Sequence, residues 1–266
     1  MPETPALPEP ALPEPALRVP ALPDPAPTST PPRPPATAPG RLPAAVLWDM
    51  DGTLVDTEPA WMQAEADLVT EHGLTWTAHD AARMIGLPLL AAAEVLIEHG
   101  VAAPAEAIVQ RLLGQVVDHV RADVPWQPGA LELLTALQAA GVPCALVTMS
   151  YRALTDAVLA SAPEGAFTVV VPGDEVTHGK PHPEPYLTAA ARLGVDVRAC
   201  VALEDSPPGI GSALASGART IGIKHIVDVE PRPGLTRVSS LEQVDLGTLS
   251  RVLGGETLDL LGAPVS

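Results

Sequence analysis

The run Val46-Leu47-Trp48-Asp49-Met50-Asp51-Gly52-Thr53-Leu54-Val55-Asp56-Thr57-Glu58 constrains this chain more than any other stretch. The apolar residues 44–48 stop abruptly at Asp49, and Asp51 and Gly52 follow at once. A short apolar run bounded by a glycine turn predicts a buried strand. Both carboxylates then stand where a strand gives way to a loop. In open α/β sheets that edge, outside the carboxyl ends of the strands, is where ligands bind. Two carboxylates so close repel one another, so the pair calls for a cation or a shared proton. One can attack while the other moves protons, and a hard metal ion can neutralise both. Gly52 permits the tight turn and a close approach of the backbone.

The rest of the chain divides around this turn. Residues 1–42 hold close to half of the 32 prolines and repeat Ala-Leu-Pro-Glu-Pro at 6–10 and 11–15. Proline at that density removes amide donors and blocks helix and sheet, so a disordered or extended tail is expected. Residues 58–127 read as helical throughout, with segments near 58–72, 78–85, 89–99 and 104–122 separated by Gly73, Gly86, Pro88 and Gly100. From residue 128 onward, strands alternate with helices. Strands are expected at 143–147, 167–171, 199–203 and 220–223, with helices at 130–140, 151–161, 185–193 and 207–216. That alternation predicts a doubly wound, Rossmann-like parallel sheet with helices on both faces, residues 43–57 and 128–266 forming it together. Residues 224–266 are less regular, with one final helix expected at 241–253.

Strand direction alone gathers the polar candidates on one edge. Asp49 and Asp51 follow the first strand, Thr148, Met149 and Ser150 the second, Lys180 the third, and Glu204 and Asp205 the fourth. Lys180 is one of only two lysines, the other being Lys224, which makes its position more informative. The formal charge of −17 argues against unaided binding to nucleic acid or anionic membrane, whose phosphates would be repelled. No stretch of about 18 apolar residues is free of charge or breakers, so no spanning helix is expected. The N-terminus lacks the basic and apolar regions of a secretory signal. Cys144 and Cys200 fall in apolar runs, as buried free thiols of a reducing compartment do. A cytoplasmic location is therefore expected, with monomer as the default state, and no Cys/His spacing suggests a zinc site.

Asp-Met-Asp-Gly-Thr-Leu-Val-Asp resembles the first motif of the haloacid dehalogenase-like hydrolases, mostly phosphatases and phosphomutases. Three further motifs of that family follow in order: Leu-Val-Thr-Met-Ser at 146–150, Gly-Lys-Pro-x-Pro at 179–183 and Glu-Asp-Ser-Pro-Pro-Gly at 204–209. The resemblance covers about residues 44–223. It implies that the block 58–127 is a helical cap, hinged near 56–59 and 125–129. Such a lid excludes water from a hydrolysable intermediate.

The resemblance also implies roles. Asp49 attacks phosphorus, and Asp51 protonates the leaving alcohol and then activates water. Thr148, Met149 and Ser150 contact the phosphoryl oxygens. Lys180 offsets negative charge at the reacting centre. Asp49, Asp51 through its carbonyl, Glu204 and Asp205 hold Mg²⁺. Gly86 and its neighbours face the substrate from the cap. Asp56, Thr57 and Glu58 either line the mouth of the site or cap the first cap helix, capping being preferred, and Trp61 and Trp126 are expected to anchor packing near the hinges. The expected function is Mg²⁺-dependent hydrolysis of a small phosphorylated metabolite through an aspartyl-phosphate. A β-phosphoglucomutase-type phosphomutase is the enzymatic alternative, but it places a cap arginine after a glycine, and here Gly86 is followed by Leu87, Pro88, Leu89 and Leu90. A scaffold acting through the proline-rich tail is the non-enzymatic alternative.

Overall fold

The computed structural model describes residues 40–84 and 87–262. The first 39 residues of the proline-rich tail, and Gly86, lie outside them. Six strands form one all-parallel sheet: β1 (Ala45–Trp48), β2 (Cys144–Val147), β3 (Val169–Val171), β4 (Cys200–Glu204), β5 (Arg219–Ile223) and β6 (Leu235–Val238). Their order is β3-β2-β1-β4-β5-β6. The chain winds outward from β1 in one direction, then returns to β1's other side with β4. The order reverses between β1 and β4, and at such a switch point the crossover helices diverge and leave a crevice. The pairing of Trp48 with Leu203 sets Asp49 level with Glu204 across that crevice.

The continuous apolar character of β1 reflects burial on both faces. Val46 and Trp48 join one apolar cluster, Ala45 and Leu47 another. The second cluster includes Tyr186 and Ala189 of α7 (Glu184–Leu193) and Ala213 of α8 (Pro207–Ser216). The first includes Leu133, Leu134 and Leu137 of α5 (Ala130–Ala139), Leu154 and Val158 of α6 (Arg152–Leu159), and Leu249, Val252 and Leu253 of α9 (Leu246–Leu253).

Among the described residues between β1 and α5 there are four helices: α1 (Glu58–Glu71), α2 (Ala78–Ala82), α3 (Leu89–His99) and α4 (Ala105–Ala122). A capping box between Thr77 and Asp80 starts α2. Ile108, Val109, Leu112, Leu113, Val116, Val117 and Val120 of α4 recur at helical spacing and are buried. They belong to the same cluster as Val46 and Trp48, so block and sheet share one apolar core. The two connections to the block run side by side. Asp56 N–H donates to Pro125 O (2.8 Å) and Gln127 N–H to Leu54 O (3.0 Å), around an antiparallel bridge from Val55 to Trp126.

Several sequence expectations need adjusting. The segment expected over 78–85 is helical only to Ala82. The third strand begins at Val169, not residue 167. The stretch 224–262 is more regular than expected: β6 adds a sixth strand beside β5, and the single helix expected at 241–253 divides into a 3₁₀ turn (Leu241–Gln243) and α9. The break falls at Asp245, whose Oδ1 accepts from Thr248 N–H (2.6 Å) and caps α9.

Candidate active site

The four chain segments singled out at strand ends converge at the β1/β4 crevice. Lys180 is their hub. Its ammonium donates to Asp49 Oδ1 (2.5 Å), Glu204 Oε1 (2.6 Å) and the Val147 carbonyl (2.9 Å), which uses all three of its protons. The Lys180 side chain is 4% exposed and that of Glu204 fully buried, so the bonds operate away from solvent. Burial alone would lower the lysine's pKa, but Asp49 and Glu204 outweigh it and hold the group charged.

Glu204 is saturated by its partners. Oε1 also accepts from the Tyr186 hydroxyl (2.9 Å), and Oε2 accepts from Ser206 N–H and Oγ (3.1 Å each). The first turn of α8 wraps this carboxylate so closely that a Cβ on Gly209 would lie 1.7 Å from Oε1. Asp49, in contrast, gives only Oδ1 to Lys180, and its Oδ2 has no hydrogen bond among the described residues.

Asp51 is ringed by hydroxyls. Thr57 Oγ1 donates to its Oδ1 (2.6 Å), and Thr148 Oγ1 (3.1 Å) and Ser150 Oγ (2.8 Å) to its Oδ2. Thr148 also accepts from Ser150 N–H (2.9 Å), tying the loop after β2 into the same network. The Met149 sulfur accepts Lys180 N–H (3.2 Å), which ties the loop after β2 to the lysine loop. Asp205 Oδ1 accepts from Thr53 Oγ1 (3.0 Å). At Gly52 the backbone has φ +85°, and a Cβ there would lie 2.2 Å from Asp205 Oδ2. The catalytic turn and the end of β4 thus meet only because residue 52 is glycine.

The electrostatics call for a cation. Oxygen atoms of Asp49, Glu204 and Asp205 lie within 4.8 Å of one another, and one ammonium faces them. Burial, then the charge of Glu204, pushes the Asp49 carboxyl up against the pull of Lys180. Burial, then Asp49, does the same to Asp205. A divalent ion between Asp49 and Asp205 would cancel that repulsion and keep both ionised. An oxygen-only donor set suits Mg²⁺ rather than a softer metal.

The sequence missed several members of this network. Thr57, for which capping was preferred over a place at the mouth of the site, makes no side-chain cap and binds Asp51. Tyr186 carried one usable signal, a phenol on an apolar helix face, which needs a polar partner once buried. Ser206 caps α8, accepting from Gly209 N–H (3.1 Å), and also binds Glu204. Trp61 and Trp126 pack against the first apolar cluster.

The model of the haloacid dehalogenase-like hydrolases matches residues 46–223. Hexitol phosphatase A of Escherichia coli is 33% identical over 206 residues, which cover 74% of this chain and 91% of that protein. The bifunctional riboflavin kinase/FMN phosphatase of Arabidopsis thaliana is 30% identical over 70% of this chain, which spans half the length of that relative. The fold matches that of CbbY from Rhodobacter sphaeroides, solved with phosphate, at a TM-score of 0.69 and 24% identity, covering 76% of this chain and 96% of that one.

Proposed function

The chain belongs to the haloacid dehalogenase-like hydrolases and is a phosphoric monoester hydrolase; on that premise we propose that it hydrolyses a small sugar or polyol phosphate through a phosphorylated Asp49. The observation that carries this reading is the Lys180 bridge. It fixes one oxygen of Asp49 and leaves Oδ2 free to attack at the sheet's switch point. The kinship with a hexitol phosphatase supports the substrate class.

In the first half-reaction Asp49 Oδ2 forms a bond to phosphorus as the ester oxygen leaves. That oxygen takes a proton from Asp51, whose carboxyl is aimed by Thr57, Thr148 and Ser150. In the second, Asp51 takes a proton from water, the water oxygen bonds to phosphorus, and the bond to Asp49 breaks. Inorganic phosphate leaves and both carboxyl groups return to their starting states. Lys180 stabilises the charge accumulating on the transferred group. Asp49, Asp205 and the Asp51 carbonyl would hold Mg²⁺, which when bound neutralises the carboxylates and the phosphoryl oxygens. Glu204, saturated by Lys180, Tyr186 and Ser206, fits the positioning of Lys180 better than metal ligation.

The helical block 58–127 serves as the lid in this proposal. Thr57 stands at the base of the connection to α1 and touches Asp51, so the lid's seating is linked to the acid/base group. A mutase would need a cation for a second phosphate, and residues 87–90 supply none.

Acid-quenching the enzyme during turnover and mapping its peptides tests the intermediate. A phosphoryl group on the peptide bearing Asp49, lost in Asp49→Asn, is expected. Turnover with phosphate on another residue, or on none, would overturn this assignment.

A further inference from the structure

The loop that carries Lys180 has a second cluster of ligating side chains on its outer side. His178 and His182 flank the lysine at two residues on either side, and Glu184 opens α7. The Glu184 carboxylate closes the loop by accepting from Thr177 N–H (2.7 Å), His178 N–H (3.0 Å) and His178 Nδ1 (2.8 Å). His182 Nδ1 lies 4.0 Å from the same carboxylate, and the two imidazole rings are 4.7 Å apart, centroid to centroid, at a tilt of 36°. One ligand atom from each of the three side chains lies within 4.8 Å of those of the other two.

We propose that His178, His182 and Glu184 form a surface site for a borderline divalent transition metal, Zn²⁺ in the first instance, separate from the acidic crevice that suits Mg²⁺. Two imidazoles and a carboxylate are a donor set that selects zinc, cobalt or nickel over magnesium. Three protein ligands leave a fourth position for water. In a tetrahedral zinc site the ligand atoms stand roughly 3.3 Å apart, so closing this cluster takes a shift of about an ångström. The side chains can make it, because His178 and His182 are more than half exposed. The Nδ1 hydrogen that His178 gives to Glu184 moves to Nε2 when Nδ1 takes the metal, and protonation of either imidazole competes with the ion, so binding weakens as pH falls.

Glu184 is suited to the task. Hydrogen bonds from Thr177 N–H, then His178, lower its pKa and keep it anionic. The spacing His-x₃-His-x-Glu is not one of the zinc patterns, so the site is not legible in the sequence. Only the turn of the loop folds the three residues together. A metal here is a second clasp on the loop that holds Lys180, reinforcing the one Glu184 already makes with the backbone.

The test is a Zn²⁺ titration of the full chain against a chromophoric chelator, with millimolar Mg²⁺ present to fill the acidic crevice. It is read in parallel by NMR of the histidine side chains. One zinc ion is expected to bind, shifting the resonances of His178 and His182 and leaving the other histidines in place. His178→Ala and His182→Ala should each weaken it by about tenfold or more, while Asp205→Asn should not. The proposal is overturned if zinc shifts other histidines instead, if Asp205→Asn abolishes binding, or if neither histidine variant weakens it. The NMR readout on the unaltered protein decides the matter even where a variant fails to fold.

Discussion

Lys180 and the carboxylates around it form a buried ionic cluster, in which the loss of one partner leaves another uncompensated. Glu204 and Asp205 are neighbours in sequence, yet they stand in different chemistry: Glu204 is fully committed to donors, and Asp205 has only Thr53. Glu204→Gln should therefore lower kcat by on the order of a hundredfold, with the Mg²⁺ concentration for half-activation nearly unchanged. Asp205→Asn should raise that concentration by about tenfold or more. Metal-activation curves of the two variants check this, and a Mg²⁺ requirement raised in Glu204→Gln as much as in Asp205→Asn would place Glu204 among the ligands. Gly209→Ala puts a methyl group 1.7 Å from Glu204 Oε1, and thermal denaturation should show it destabilised by about 1–3 kcal/mol. The residues at the strand ends were legible in the sequence because each closes an apolar run. Thr57 makes no cap for a physical reason: its backbone is right-handed helical (φ −85°, ψ −11°) rather than extended, which turns the side chain away from the first-turn amides, and its hydroxyl donates to Asp51.

Among the elements, α1 has one conspicuous internal tension. Glu65 lies on its buried face, 6% exposed, with Oε2 lacking any hydrogen bond. Burial, then the charge of Glu58, raises its pKa to about 8. The folded state therefore holds a proton that the unfolded chain releases near 4.5. The stability that Glu65 contributes is complete below the ordinary carboxylate range and is lost as pH rises to about 8. Melting temperature should fall across that window, by an amount equivalent to a few kcal/mol at most, and Glu65→Gln should flatten the profile. An unchanged slope in the variant would contradict the assignment. Elements that bury a continuous or periodic apolar face, such as β1 and α4, could be placed from sequence because burial itself writes the pattern. Strand β6 could not. Its four residues, Leu-Thr-Arg-Val, include an arginine whose guanidinium reaches the Val229 carbonyl (2.9 Å) and Asp259, and its ladder partner is supplied only by the folded β5.

On the scale of the molecule, the described residues carry the sheet, the four-helix block and every group of the proposed site except Gly86. Among them no helix is long and apolar enough to cross a membrane. Deleting residues 1–39 should leave turnover and melting temperature unchanged, because the strands of the sheet and the residues of the proposed crevice begin at Ala45. A loss of either in the truncated protein would show that the tail takes part. The central claim is that Asp49 transfers phosphate with a divalent cation beside it. Phosphate release across a panel of sugar, polyol and small organic phosphates, with Mg²⁺, with chelator and with Asp49→Asn, tests it most directly. The account predicts turnover that needs the metal, favours sugar or polyol esters, and disappears in a folded Asp49→Asn protein. Turnover that survives in Asp49→Asn, or a folded Mg²⁺-bound enzyme that releases phosphate from none of the esters, would contradict it.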